Sequence, residues 1–499
     1  MWFLQIYWKY IFITAIIVIV IITILPAQQF GPEIIIEGST PNQIYKLAPV
    51  IDLDSQGNLG VSWGVSGITW DTVKFVKSYD RGQTFENSVI VDTLLKDPDA
   101  GDTFSTLLCF DFLDNPMVFY WRWVFPYWYF HFYKKSEDGG LRFPENKYNF
   151  TSAYYPVDYL FYNENCGFLA YSAYPHPELI VKKSVNSGIS FIDSTVVNTG
   201  NNYPNYNISL VKCGNGDILC FYTGEGNIYY NRSTDLGENF SDTVAIENEY
   251  KYKNGVYAHA FQNHVFIIYK ASSDSISPKI IFNRSDDYGY SFDHKTVIYD
   301  FGSTVLNSHP VPFIIFNPNV GLCIVWSKNP GINRTIMFTY STDLGDTFGT
   351  PVTVTEGNKW RFYRSMAVSD SGDVYITYIN DDNYNIILNK TKLPVISGIK
   401  TQTALKVKEY QLLPVYPNPF NSYTQISFKI PQTSKIMLEI YDLVGRRVKT
   451  LANETYQTGA HHIRWDGTNQ YGGEVTTGIY FVRLSTPGFK ATHKILLMR

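Results

Sequence analysis

What this sequence lacks first is helical periodicity. Beyond residue 27 no long stretch spaces its apolar side chains at 3.6 residues, and only 6 of 499 residues are methionine, which argues against helix-rich folds. An excess of positive charge is missing too. Lys and Arg number 41 against 45 Asp and Glu, the net charge is −4, and no basic stripe occurs; nucleic acid is therefore excluded as a partner, because a phosphate backbone demands a cationic footprint. The five cysteines, Cys109, Cys166, Cys213, Cys220 and Cys323, are an odd number and scattered, so they read as buried thiols rather than a disulfide framework. Cys213 and Cys220 flank one hairpin turn but fall diagonal to each other if Asn215 and Gly216 form it. No Cys-x-x-Cys or His-Glu-x-x-His spacing is present, so neither a metal nor another cofactor is expected.

Aromatic residues are what is abundant. With 39 Tyr, 33 Phe and 45% hydrophobic residues over 499 positions, the composition is that of an all-β protein with room for two or three domains. Residues 1–27 read as a signal peptide: Lys9 is the only charge, an apolar run follows from Tyr10 to Leu25, and Pro26-Ala27 offers a small residue for cleavage.

Most informative is a repeat. The stretch Asn231 to Phe240 has the kernel Ser-x-Asp-x-Gly-x-x-Phe, carried by Ser233, Asp235, Gly237 and Phe240. Further copies are Ser78/Asp80/Gly82/Phe85, Ser136/Asp138/Gly140/Phe143, Ser285/Asp287/Gly289/Phe292 and Ser341/Asp343/Gly345/Phe348, with an amide variant at Ser184/Asn186/Gly188/Phe191. These residue types suit a tight turn between strands: hydroxyl and carboxylate bond to the turn's own backbone, glycine supplies φ > 0, and the aromatic is an apolar plug. A spacing of roughly 50 residues signals a solenoid, propeller or array.

Each kernel follows three strands and precedes a fourth, the grammar of a β-propeller blade. First strands fall at Leu47–Asp54, Phe104–Phe112, Tyr155–Tyr162, Tyr206–Cys213, Tyr257–Gln262, Pro310–Asn317 and Arg364–Asp370, one more than there are kernels. The seventh unit stops at Lys392 after three strands. Its missing strand is found before the first unit, where Pro-Glu-Ile-Ile-Ile-Glu-Gly, residues 32–38, matches Pro-Val-Thr-Val-Thr-Glu-Gly, residues 351–357, which leads into the seventh unit. Glu33 to Glu37 is therefore predicted to pair with Tyr384 to Asn389 and close a seven-bladed ring, removing two open edges. The aromatic run from Phe119 to Tyr133 is expected to fill the gap between blades, with a sugar-stacking platform as the alternative.

The repeated kernel resembles the Asp-box of sialidases and other secreted propellers, over about residues 28–392. The resemblance implies that the boxes are peripheral and structural and that ligands bind at the opposite face. The repeat grammar places Tyr155, Tyr206, His259, His309 and Arg364 there, with Trp360 and Arg361 on a loop and Glu225 in Thr-Gly-Glu-Gly-Asn. Sialidase chemistry, as the resemblance implies it, needs three arginines on a carboxylate, a Tyr nucleophile with its Glu, and an Asp acid-base. Arg81, Arg142, Arg232 and Arg284 lie in or beside boxes, leaving Arg122, Arg334, Arg361 and Arg364, and Lys-Leu-Ala-Pro-Val stands where an Arg-Ile-Pro signature belongs. A non-catalytic module binding a glycan or protein is accordingly the leading expectation, with a sialidase-like exo-glycosidase and a surface scaffold as alternatives.

After a linker at 393–411 the composition changes. Residues 412–499 alternate as the strands of a small Ig-like β-sandwich. Tyr416 to Asn421, Trp465-Asp466-Gly467, Gly478-Ile479-Tyr480-Phe481 and Lys494 to Arg499 make this tail resemble the type-A C-terminal sorting domain of the type IX secretion system. That implies export across both bacterial membranes, secretion or surface attachment, and the secretion machinery as a partner.

Overall fold

The computed structural model describes residues 29–498 except 39–42, 97–99, 125–127, 151–157, 174–177, 192, 199–203, 247–249, 274–276, 303–311, 329–334, 356–360, 381–383, 397–409, 413–414, 416–417, 422–423 and 457–458. The expected signal peptide lies outside the described residues. The chain divides into two compact units, with the boundary in sequence between Ile396 and Ser397.

The first unit is built, among the described residues, from seven four-stranded antiparallel sheets in chain order. The fourth sheet is representative, with strands Pro204–Lys212, Ile218–Gly224, Asn227–Ser233 and Val244–Ala245. Its second strand is buried at every position, as is nearly all of Leu59–Gly67 in the first sheet. A strand covered by neighbouring sheets on both faces has no wet side, so the usual alternation vanishes. The outer strand Val89–Leu95 keeps a mixed burial pattern. Serial packing of such sheets is the architecture of a β-propeller.

In each kernel the serine ends the third strand, or in the case of Ser136 follows it directly, and its hydroxyl is the hub of the turn. The Ser233 Oγ donates to Asp235 at 2.8 Å and accepts the Gly237 amide at 2.8 Å, while Asp235 accepts the Asn239 amide at 3.0 Å. The same bonds recur at Ser78, Ser136, Ser285 and Ser341, and Asn186 substitutes for the carboxylate at Ser184. The glycine answers two demands at once. Gly237 has φ +79°, and a Cβ there would come within 2.5 Å of the Phe168 ring in the third sheet. Gly82, Gly140, Gly188, Gly289 and Gly345 are buried in the same way: a Cβ on them would fall between 2.4 and 2.8 Å from Leu388, Phe75, Met117, Leu219 and Phe282 respectively.

That close approach is general, because every kernel turn presses on the sheet before it, the first kernel on the seventh sheet. Phe143 packs edge-on against Phe75, Phe191 against Tyr133, Phe292 against Phe221, and Phe348 against Phe282. The plug is therefore a contact between sheets. A cation returns the grip. Immediately before the kernel serine, Lys135 donates to the Ser187 carbonyl of the third sheet (2.7 Å), Arg232 to the Tyr288 carbonyl of the fifth (2.8 Å) and Arg284 to the Leu344 carbonyl of the sixth (2.8 Å). Each acceptor is the residue ahead of a kernel glycine and has φ between +56° and +63°. Arg232 is itself held by Asp217 at 2.8 Å and lies 3.9 Å from the Tyr290 ring centroid.

The seventh sheet comprises Arg361–Val368, Asp373–Asn380 and Asn385–Lys392, and its fourth strand is Ile34–Glu37. Ile34 lies opposite Leu388 and Ile35 opposite Ile387. Asn389 donates to the Gly31 carbonyl (2.8 Å) and Tyr378 to the Glu33 carboxylate (2.8 Å). First and seventh sheets share one apolar cluster that includes Leu59, Trp63, Tyr375 and Leu388, and Lys390 donates to the Arg81 carbonyl at 3.1 Å, the same grip as that of Arg232.

The aromatic run is explained by its sheet being covered on both sides. Phe119 and Tyr133 cluster with Tyr159 of the third sheet, whereas Tyr120 and Phe132 cluster with Val73 and Phe75 of the first. All five cysteines are free; Cys213, Cys220 and Cys323 are buried. Opposite Cys220 stands Leu210.

The second unit consists, among the described residues, of a three-stranded and a four-stranded sheet. They enclose one core in which Phe428 and Trp465 of the first meet Leu438, Val482 and Leu497 of the second.

Two substitutions test the interlock. Ser233→Ala strands a buried Gly237 amide and should cost about 1–3 kcal/mol. Arg232→Met leaves Asp217 buried without its cation and should cost about 3–5 kcal/mol, with Asp217→Leu restoring part of it. Urea denaturation of the full chain reads both, and an unshifted midpoint for either variant would contradict this account.

Candidate functional site

Antiparallel connectivity gives each sheet two distinct ends. The ends of the first and third strands lie together, so the kernel turns share one end with the first hairpins; the starts of first strands share the other with the turns between second and third strands. At this second end of the fourth sheet, Pro204 faces Gly224 and Tyr206 faces Thr223. Glu225 follows directly in the turn, exposed and at φ +48°. Arg361 opens the first strand of the seventh sheet opposite Asn380, and Arg364 falls in a register shift between Phe362 and Ser365. Sheet topology thus puts Tyr206, Glu225, Arg361 and Arg364 at equivalent ends. Tyr155, His309 and Trp360 lie outside the described residues.

His259 is a correction. Its strand, Tyr252–Phe261, begins five residues before Tyr257, where the sequence places the start, so His259 comes two residues before the strand's last residue and lies opposite Phe266. That is the kernel end. The imidazole packs 6.3 Å from the Phe316 ring, burial lowers its pKa, and Nδ1 has no hydrogen-bond partner among the described residues.

Gly82, Gly140, Gly188, Gly237, Gly289 and Gly345 are all buried, because each turn lies against a neighbouring sheet. Asp287 is buried too, at 2% exposure, whereas Asp80, Asp138, Asp235 and Asp343 are not. Its carboxylate accepts the Tyr290 and Ser291 amides at 3.0 and 2.8 Å and the Ser291 hydroxyl at 2.7 Å, so it is filled from within its own turn.

Between sheets, first strands are stitched by short polar side chains. Asp158 accepts the Leu210 amide (2.7 Å), Ser209 the Ala258 amide (3.1 Å) and Ser365 the Ile51 amide (3.3 Å). Burial pushes Asp158 up to about 6 and Asp52, on the first strand of the first sheet, up to about 7. Lys46 on that strand is also buried; its ammonium donates to the Glu37 carbonyl at 3.0 Å and burial lowers its pKa to about 8. Among the described residues no group of three His, Cys, Asp or Glu side chains could hold a metal ion.

In the second unit a cavity of about 780 Å³ opens between the turn at Asp442–Arg446, the turn at Asn469–Tyr471 and the strand start at Gly478–Tyr480. Both turns are built rigidly. Asp442 accepts the Val444 and Arg446 amides at 3.1 and 2.9 Å, and Asn469 accepts the Tyr471 and Gly473 amides at 2.9 and 3.0 Å.

Residues 414–498 match the family described as the secretion system C-terminal sorting domain. The tail is a sorting domain. It is recognised by the type IX secretion machinery, and the protein is secreted or displayed at a bacterial cell surface. Comparison of the whole chain with curated proteins finds no match. Among solved structures, a protein of unknown function from Dyadobacter fermentans is 13% identical over 74% of this chain and 100% of its own, with a TM-score of 0.45. NanB sialidase from Streptococcus pneumoniae is 10% identical over 73% and 71%, with a TM-score of 0.43. PorZ, a surface component of the type IX secretion system of Porphyromonas gingivalis, is 10% identical over 93% and 75%, with a TM-score of 0.35. No helix among the described residues is long and apolar enough to cross a membrane.

Two groups escaped sequence reasoning. The cations Lys135, Arg232 and Arg284 had a signal, a basic residue directly before the kernel serine, which the kernel-centred repeat leaves out. The sorting-domain cavity had one as well: Leu443, Val444 and Tyr471 are apolar or aromatic residues in turns, where polar residues are the rule.

The pKa of Asp52 sets a pH dependence. A carboxyl whose folded value is raised keeps its proton in the folded state between about pH 4 and 7 while the unfolded chain releases it, so this residue's contribution to stability declines as pH rises through that window. Asp52→Asn should therefore stabilise the first unit at pH 8, by about 1–3 kcal/mol after allowing for partial exposure, and leave it unchanged at pH 4. Thermal melts at the two pH values check this; equal shifts at both would refute it.

Proposed function

We propose that the seven sheets are the blades of a ring closed by Ile34–Glu37, and that this ring is the cargo half of a type IX substrate: a secreted or surface-displayed propeller that binds a glycan or protein without catalysis. In this reading residues 28–392 form the propeller, 393–411 the linker and 412–499 the sorting domain. Ligand binds at the end opposite the kernels, through residues drawn from Tyr206, Glu225, Arg361 and Arg364 together with Tyr155, His309 and Trp360; His259 drops out.

The carrying observation is where the conspicuous polar groups are committed. Kernel serines and aspartates are engaged by their own turns, and Arg232 and Arg284 are locked in buried ion pairs with Asp217 and Asp286 at 2.8 Å. Neither arginine is available to clamp a substrate carboxylate, which a sialidase-like mechanism would require. Kernel residues are thus structural fasteners, and the alternative of an exo-glycosidase would have to draw its carboxyl groups from the opposite end.

Purified full-length protein on a glycan array, beside a fluorogenic sialoside assay, is expected to retain one class of glycan and show no turnover. Turnover would overturn the non-catalytic reading, and silence in both assays would favour a scaffold. For the sorting domain, a chain lacking residues 490–499 should accumulate in the periplasm of a host with a type IX system; unchanged export would contradict that role.

A further inference from the structure

Among the described residues of the sorting domain, exposed large apolar side chains gather mainly at one concavity, with Met437 and Met498 elsewhere, and both edges of its four-stranded sheet are partly shielded. Sheet edges come first. The outer edge of the last strand, Phe489–Leu497, is taken by residues 418–420: Phe420 donates to the Leu496 carbonyl at 2.9 Å and Asn418 accepts the Leu496 amide at 2.8 Å. On the opposite edge, strand Arg447–Tyr456, the Val448 carbonyl and the Thr450 amide are both satisfied by Gln470, at 3.0 and 2.9 Å. A partner strand would find these backbone groups already bonded, so recognition by strand addition is disfavoured there.

Apolar exposure is concentrated instead at the cavity between the two rigid turns. Leu443 is 68% exposed, Val444 73% and Tyr471 96%, and Ile479 adds to the same lining. Solvent-facing apolar side chains at a preformed concavity mark an interaction site, and turns held by their own hydrogen bonds lose little freedom on binding. The rim has a sign. Arg446 and Arg447 are 81% and 61% exposed, whereas their carboxylate partners Asp442 and Glu439 are recessed at 21% and 5%. What a partner meets is guanidinium, which favours a carboxylate by bidentate bonding.

We propose that this groove is the docking site for a peptide segment of the secretion machinery that inserts an apolar side chain between Leu443, Val444 and Tyr471 and sets a carboxylate against Arg446 and Arg447. The proposal rests on the sorting reading of the tail and adds where and by what chemistry the tail is read. Tyr471 supplies the broad stacking surface, and the arginine pair fixes the orientation of the incoming segment.

The test uses the full-length chain in a host that carries a type IX system. Tyr471→Ser, Leu443→Ser with Val444→Ser, and Arg446→Glu should each lower the exported amount at least tenfold and raise the periplasmic amount, with melting temperatures within about 2 °C of the parent; Arg447 is left in place because it pairs with the buried Glu439. Tyr471→Phe should be exported like the parent, and so should Lys490→Ser, which lies on the last strand and outside the groove. Export of Tyr471→Ser at the parental level, while a chain lacking residues 490–499 is blocked, overturns the groove and leaves the sorting reading intact. Normal export of both overturns the two together. A lipid partner is distinguished by vesicles of phosphatidylglycerol and phosphatidylcholine: if Arg446→Glu abolishes vesicle binding but leaves export unchanged, the peptide proposal is overturned.

Discussion

A buried serine hydroxyl, wedged between an aspartate and a glycine amide, is the contact on which the repeated part of this protein depends. Because Ser Oγ both donates and accepts, one atom fixes the carboxylate and the backbone of the turn together. The carboxylate then engages amides further along, and in Asp80 hydrogen bonds from the Thr84 hydroxyl and amide hold the pKa down to about 2. With its polar groups satisfied internally, the turn can be pressed against an apolar neighbour.

That neighbour is the preceding sheet, and the contact runs both ways. A kernel phenylalanine reaches back onto an earlier ring while a lysine or arginine from the earlier sheet reaches forward to a carbonyl beside the kernel glycine. Positive φ at that residue exposes its carbonyl to the incoming cation. A buried cation is tolerable only when paired and hydrogen-bonded, and Asp217 with the Tyr288 carbonyl supplies both for Arg232. The repeat that looks like a row of acidic sites is thus a row of buckles, which is why the search for ligand chemistry belongs at the opposite sheet ends.

The second unit obeys a different rule. Its sheets close over one core, local segments cap backbone groups on both edges of the four-stranded sheet, and a groove lined by turn residues is left open. A domain that must be recognised, yet must not aggregate on the way, gains from restricting exposed apolar surface to a rigid concavity.

Periodic features were legible from residues alone. Kernel spacing marked the sheets, and the likeness of residues 32–38 to 351–357 pointed to the pairing of Ile34–Glu37 with the strand that holds Leu388, because strand pattern and turn chemistry are local properties. Contacts between repeats were not legible. Nothing local says that Phe292 will rest on Phe221, that Arg232 will cross to the next turn, that Asp287 will be buried while Asp235 is not, or that the strand carrying His259 starts five residues early and so delivers it to the wrong end. Those outcomes were decided only when the sheets packed, since burial, paired charge and the end at which a side chain emerges depend on neighbours some 50 residues away in the chain.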